Sequence, residues 1–285
     1  MKDLAGKVAV VTGSASGMGF AFANRFAEEG MNIVLADIES EPLAMAEAAI
    51  KAKGAKVTAV RTNVLHDQDV EKLADAAFNA YGNVHIVCNN AGVAGGSGKP
   101  VWEAPQEDWD WVFGVNFWGV LRGIKAFVPR MIENGEEGHI VNTASMAGML
   151  TGADPYSVSK HGVVCLTEGL YKNFKAMNLN LSASVLCPGW VNTNILDASR
   201  NRPEELGKSV DPSTLGPEAA QRTAMVRGML QGGFRPEEVA QKVLDAVLTD
   251  TFYIIPAQDY MNAAMKTRFG QILNRENPTV PVMQQ

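Results

Sequence analysis

Two patterns of apolar positions alternate along the chain. Short runs rich in Val, Ile and Leu fall at residues 8–11, 33–36, 56–61, 84–88, 139–143, 179–187 and 252–256. Their length and composition predict strands, and the unbroken first run, Val8, Ala9, Val10 and Val11, suits a strand buried on both faces. Between them lie stretches with helical spacing. Residues 20–29 read as a helix stopped by Gly30, and 43–53 as one with Ser40 as cap and Gly54 as stop. Residues 67–81 follow, with Asp67 as N-cap and Gly82 at the end. Further helices are expected at 106–131, 156–177, 236–249 and 259–273. Such alternation predicts an α/β fold: a doubly wound, seven-stranded parallel sheet with helices on both faces. No repeat and no linker divides the chain, so residues 1–285 read as a single domain. Residues 95–105 and 146–155 read as loops, and the last dozen as loose. The stretch 190–235 is long for a connector, which points to a functional substrate-loop region.

The densest chemistry follows the first strand. Thr12-Gly13-Ser14-Ala15-Ser16-Gly17-Met18-Gly19 joins strand to helix. Gly13 permits a tight turn, Gly17 and Gly19 allow close backbone approach, and the free N–H groups of a helix start can face an anion. Ser14 and Ser16 offer hydroxyl donors. A flexible turn would explain the glycines alone, but the second strand ends in Asp37, 24 residues after Gly13. An acidic group there can grip the adenosine ribose hydroxyls of a dinucleotide.

The spacing Thr-Gly-x-x-x-Gly-x-Gly resembles the short-chain dehydrogenase/reductase family in its compact single-domain form. Later residues extend the resemblance. Asn89-Asn90-Ala91-Gly92 is similar to a family motif that braces the central sheet and lines the cofactor, which implies such roles for Asn89, Ala91 and Gly92. Asn116, in the setting Val-Asn-x-x-Gly, matches the family's catalytic asparagine, holding water that relays protons to Lys160. Ser145, Tyr156 and Lys160 complete the set. Pro188-Gly189-Trp190-Val191-Asn192-Thr193 matches Pro-Gly-x-Val-x-Thr, which implies nicotinamide contacts from Pro188, Gly189, Val191 and Thr193. Gly13, Ser14, Ser16, Gly17, Met18 and Gly19 would hold the diphosphate, and Asp37 and Ile38 the adenosine ribose. Asn63 and Val64 would meet the adenine; Asn63 departs from the family's usual Asp, but its carbonyl can accept the same hydrogen bond. The Ser145–Tyr156 interval is a residue or two shorter than the commonest family spacing, implying a reshaped loop.

Tyr-x-x-x-Lys is uninformative alone, because Tyr171 and Lys175 repeat it on the same helix as two exposed or half-exposed side chains. Position separates the pairs: Tyr156 and Lys160 open the helix after the fifth strand, at the sheet edge where such folds bind ligands. One helix face carries both. A phenol of pKa about 10 is a poor base near neutrality, so an adjacent ammonium and a cationic nicotinamide are expected to lower it. Tyr156 then exchanges the substrate proton while Ser145 holds the substrate oxygen and Lys160 also binds the nicotinamide ribose.

These residues predict an oxidoreductase interconverting a secondary alcohol and a ketone with NAD, or NADH in reduction. Asp37 would repel a 2′-phosphate, and no Lys or Arg stands at 38–41, so NADP is disfavoured. Glu39 and Glu41 add negative charge nearby and read as a solvated acidic turn. The absence of basic residues also argues against a 3-oxoacyl carrier reductase, the alternative within the family. A non-catalytic cofactor-binding regulator would be expected to lack Tyr156 or Lys160. Met146, Met149, Leu150, Trp190, Ile195 and Leu196, with Ser145 and Tyr156, are the expected substrate wall, suited to bulky apolar or aryl ligands. Residues 127–132, 194–200 and 253–256 look like those of bacterial relatives that oxidise benzylic alcohols of lignin-type aryl ethers.

Composition narrows the rest. With 46% apolar and 20% charged residues and net charge −6, the chain is suited to a large core and poorly suited to nucleic acid or an anionic membrane. The N-terminus lacks a signal-peptide core and no run reaches the roughly 20 apolar residues of a span, so a cytoplasmic location is expected. Cys88, Cys165 and Cys187 are widely spaced among apolar neighbours and read as buried free thiols, with no metal site. The family resemblance implies a homodimer or homotetramer formed through the helices at 106–131 and 156–177.

Overall fold

A computed structural model of the protein describes residues 1–95, 99–150, 152–207 and 216–279. Strands β1 (Val8–Thr12), β2 (Asn32–Asp37), β3 (Val57–Arg61), β4 (Ile86–Asn89), β5 (Gly138–Thr143), β6 (Leu181–Leu186) and β7 (Tyr253–Ile254) form the predicted seven-stranded sheet. All pairs are parallel, in the order β3-β2-β1-β4-β5-β6-β7. This is a Rossmann-type arrangement.

The unbroken apolar strands follow from having two cores. Val8 and Val10 of β1 face one core, together with Leu73, Trp111, Phe127 and Val163. Ala9 and Val11 face the other, with Phe22, Phe26, Ile50 and Leu244. Helices α3 (Asp67–Tyr81), α4 (Gln106–Phe113), α5 (Gly119–Asn134) and α7 (Pro155–Ala176) cover the first face. Helices α1 (Gly17–Glu28), α2 (Ser40–Lys51) and α9 (Pro236–Thr249) cover the second. Each fully buried side chain of Phe or Leu size contributes about 1.5–3 kcal/mol by leaving water. Chain order reverses at β1, which has β2 on one side and β4 on the other. Connections therefore diverge there and leave a crevice at the carboxyl ends of the strands.

Several local expectations need correction. The helix expected at 106–131 is broken by a π-helical turn at Gly114–Trp118. Short helix α6 (Met146–Met149) interrupts the loop expected at 146–155; Thr151 of that loop lies outside the described residues. Asp67 is the first residue of α3 rather than its cap, since His66 takes the cap position without a side-chain bond. Ser40 likewise opens α2 behind Glu39. Strand β7 keeps only two residues, and β6 begins at Leu181. Within 190–235 lie 3-10 turns at Ile195–Asn201 and Glu204–Leu206, then α8 (Pro217–Gln231); residues 208–215 fall outside the described set. Helix α10 (Asp259–Asn274) follows β7. Of the cysteines, Cys88 and Cys187 are buried, but Cys165 is exposed because its position on α7 points away from the sheet.

Candidate active site

The turn after β1 is shaped by what its glycines leave out. Gly13 and Gly17 take φ of +65° and +54°, where only glycine is unstrained. A Cβ on Gly19 would stand 2.1 Å from the Gly13 carbonyl oxygen, and one on Gly13 2.9 Å from Ala91 Cα. The turn is thus folded tightly on itself and on the chain after β4. Thr12 fastens that contact: its Oγ1 accepts from the N–H groups of Asn90 (2.9 Å) and Ala91 (3.0 Å). Helix α1 begins at Gly17 with no side-chain cap and no acidic residue in its first turn. Ser16, Gly17, Met18 and Gly19 line the crevice there, so the free amides and positive helix end favour an anion. Ser14 does not join them. Its buried hydroxyl donates to the Ala36 carbonyl and accepts from the Ala36 N–H, stitching β1 to β2.

Asp37 and Ile38 line the next part of the crevice. The Asp37 carboxylate accepts from Ala15 N–H (3.0 Å) and Glu39 N–H (3.1 Å). Burial nonetheless raises its pKa above the ordinary value, those bonds only opposing the shift. Asn63 and Val64 also line the crevice. Asn63 Oδ1 already accepts from Leu65 N–H at 3.1 Å, which leaves its second lone pair open.

Beyond β4, Ala91 and Gly92 reach the crevice, whereas Asn89 does not. Asn89 is buried and donates to Asn142 Oδ1 at 2.9 Å, bracing β4 against β5. Asn116 sits in the π-helical turn, fully buried. Both ends of its amide bind Val93: Oδ1 accepts from the N–H (2.9 Å) and Nδ2 donates to the carbonyl (3.0 Å). A Cβ on Gly92 would lie 3.4 Å from both Asn116 Oδ1 and Lys160 Nζ, so this glycine separates the two groups.

Pro155 at the first turn of α7 and Asp154 as its cap, accepting from Ser157 N–H at 2.9 Å, fix where that helix starts. Tyr156 and Lys160 consequently point into the crevice from its first turns. Lys160 is 2% exposed, and its ammonium donates to the Thr143 carbonyl at 2.8 Å. Burial depresses its pKa to about 8. Burial also raises the Tyr156 phenol above its ordinary value, and a hydrogen bond with Ser145 opposes this. Lys160 Nζ stands 5.8 Å from the Tyr156 ring centroid. Burial is therefore the largest influence on the phenol, whereas the lowering expected above needs a cationic nicotinamide as well as the ammonium. Ser145 caps α6, accepting from Ala147 N–H at 3.1 Å, and meets Tyr156 without lining the crevice.

Pro188 and Thr193 reach the crevice; Gly189 and Val191 do not. Val191 is buried and pairs with Phe234, and Gly189 is packed under Gln258. Of the expected substrate wall, Tyr156 and Ile195 line the crevice. Met146 and Met149 are core residues, Leu150 packs on that core, and Trp190 is tied to Gln258 and Tyr260. Leu196 is half-buried off the crevice surface. Sequence reasoning misses Trp111, Val115, Ala198, Arg200 and Asn201, which do line it. Nor is Glu39 a merely solvated acid, since Arg200 Nε and Nη2 donate to its two oxygens at 2.8 and 2.7 Å. No local signal marks a pairing across 161 positions.

Comparison with known proteins gives this geometry a context. The short chain dehydrogenase family profile matches residues 7–204. A crystal structure of a short chain dehydrogenase/reductase from Burkholderia phymatum in complex with NAD is 40% identical, covers 100% of both chains and superposes with a TM-score of 0.93. The 1-deoxy-11-beta-hydroxypentalenate dehydrogenase of Streptomyces exfoliatus is 36% identical over 255 residues, 89% of this chain and 84% of that protein. The C alpha-dehydrogenase of a Sphingobium species is 32% identical over 281 residues, 98% of this chain and 89% of that protein.

Proposed function

The chain belongs to the short-chain dehydrogenase/reductase family, an oxidoreductase acting on hydroxyl or ketone groups, and we propose that it interconverts a bulky, largely apolar secondary alcohol and its ketone with NAD. The observation that carries the reading is one crevice joining the uncapped glycine turn, Asp37, and the buried pair Tyr156 and Lys160. The crevice fits a nicotinamide dinucleotide: side chains are excluded at Gly13 and Gly19, and a carboxylate stands at the end of β2. Gly13 to Gly19 would hold the diphosphate, Asp37 the adenosine ribose, Asn63 and Val64 the adenine, Lys160 the nicotinamide ribose and Thr193 the carboxamide. When bound, NAD supplies the hydride acceptor and NADH the donor.

The protein's own groups manage the proton and the substrate. Ser145 hydrogen-bonds the substrate oxygen beside Tyr156. In reduction, the phenol, held protonated by burial, donates its proton to that oxygen as carbon is reduced and is left as phenolate; in oxidation the reverse holds, the phenolate taking the alcohol proton and returning to phenol. Lys160 supplies positive charge beneath the phenol, and Asn116 holds the Val93 turn and the water relay toward Lys160. Substrate would enter past Ile195, with the 190–235 region as its loop and the whole chain acting as one catalytic domain. Exposed Trp118 and Val158, on the two helical elements expected to meet a second copy, support a homodimer or homotetramer. None of the helices among the described residues is long and apolar enough to cross a membrane.

A screen of NAD reduction against secondary alcohols tests the substrate class. Bulky aryl or alicyclic alcohols should exceed short charged hydroxy acids in kcat/KM, and the reverse ranking overturns it. Steady-state comparison of NAD with NADP should favour NAD, and Asp37→Ser should narrow the gap by about tenfold by removing repulsion of a 2′-phosphate. The name of the Sphingobium relative, a C alpha-dehydrogenase, supports including benzylic alcohols in the panel.

A further inference from the structure

Arg200 reaches the adenosine end of the crevice from a 3-10 turn in the substrate-loop region. Both oxygens of Glu39 accept from it, Asn201 adds a bond to the same carboxylate, and its remaining Nη1 donates to the Asp197 carbonyl at 2.7 Å. Glu39 is itself bound through its N–H to Asp37, the carboxylate that would face the ribose. Three charges thus meet where NAD and NADP differ, and they sum to one negative charge. Of the described residues lining the crevice, only Arg200 and Lys160 are cationic, and Lys160 lies at the opposite end beside Thr143.

We propose that Glu39 is a specificity-determining residue that acts through Arg200: by engaging the guanidinium fork, it withholds from a 2′-phosphate the cation otherwise placed to receive it. The inference rests on the NAD reading above and deepens it. A guanidinium whose Nε–Nη2 edge is taken by one carboxylate and whose Nη1 is taken by a backbone carbonyl has few donors left for a second anion. A 2′-phosphate, with a charge of about −1.5 to −2, would meet a site already carrying Asp37 and Glu39. Because the bridge is partly exposed, its own contribution to stability is small. Its effect lies in where the positive charge points. Removing the Glu39 charge leaves Arg200 beside Asp37 with its fork open.

Calorimetric titration with adenosine 2′,5′-bisphosphate and with AMP tests this without turnover. Glu39→Gln should bind the bisphosphate about tenfold more tightly than the unmodified protein, AMP affinity changing less than about threefold. Adding Arg200→Met should erase the gain, and raising salt should erode it. Glu39→Ala should repeat the result if Gln disturbs the turn. An unchanged bisphosphate affinity, an equal gain for AMP, or a gain that survives Arg200→Met overturns the inference. The last outcome would point to Arg61, whose Nε donates to the Ile38 carbonyl nearby. Preference of the unmodified protein for the bisphosphate would instead overturn the NAD reading, while the change on Glu39→Gln still decides this one.

Discussion

Helix α7 carries the same Tyr-x-x-x-Lys motif twice, fifteen positions or about 22 Å apart. Tyr171 and Lys175 are the closer pair: Lys175 Nζ lies 4.9 Å from the Tyr171 ring centroid, against 5.8 Å for Lys160 over Tyr156. Yet Lys175 is exposed and paired with Asp250 at 3.2 Å, and Tyr171 packs edge-on against Phe252. Lys160 has the Thr143 carbonyl and burial instead. Proximity of amine and phenol is therefore not what distinguishes the two. Desolvation at the crevice is, because it shifts the titration of both groups, whereas the outer pair shows surface charge neutralised by a neighbour.

The sharpest way to break this contrast is to remove each phenol. Tyr156→Phe should lower kcat by about 10²–10⁴-fold with NADH binding, followed by fluorescence, nearly intact. Tyr171→Phe should leave kcat within about twofold. A loss at Tyr171 with activity kept at Tyr156 would reverse the assignment.

The lysines sharpen it through pH. Native Lys160 loses its proton near pH 8, whereas unfolded lysine keeps it to about 10.4. Between those values the unfolded chain binds more protons, so stability should rise with pH by up to about 3 kcal/mol from this group. Burial of Cys88 and Cys187 raises their thiols and lowers total stability above about pH 9. The rise should therefore be read as the difference between the unmodified protein and Lys160→Met in paired denaturant titrations, a change that also lowers kcat. Lys175→Met should leave the slope in place.

The smallest effect belongs to the outer pair. Losing the Lys175–Asp250 bridge should cost at most about 1 kcal/mol, read as a small shift in the denaturation midpoint with KM unchanged.

What can be read in advance divides along the same line. The places of Asp37, Gly13, Tyr156 and Lys160 in one crevice are legible because they follow from position at strand and helix ends, which hydrophobic patterning reveals. Asn116 is legible only by resemblance, since nothing in its neighbours announces a π-helical turn. Ser14 misleads because a hydroxyl in a glycine turn can serve a ligand or the adjacent strand, and here the Ala36 backbone takes it. Met146 and Met149, expected on the substrate wall because an apolar loop and an apolar core look alike in sequence, are buried in the core. Arg200 is illegible, since its partner is set by how a long connection folds back across the crevice.

The π-helical turn at Gly114–Trp118 also says which length changes this segment can accept. Within it, Asn116 is set against Val93; downstream, α5 presents Val120, Ile124, Phe127 and Met131 to the core. A wider turn holds one more residue than an α-helical one, so the two faces are phased across it. Deleting a residue in the flanking α4 or α5, where winding is already regular, would rotate everything on one side by about 100°. Either the asparagine or the apolar stripe would then face the wrong way. Single-residue insertions and deletions should therefore be rejected in the flanking helices, whereas the wide turn can lose a residue by closing to an α-helical one, with both flanks still in frame.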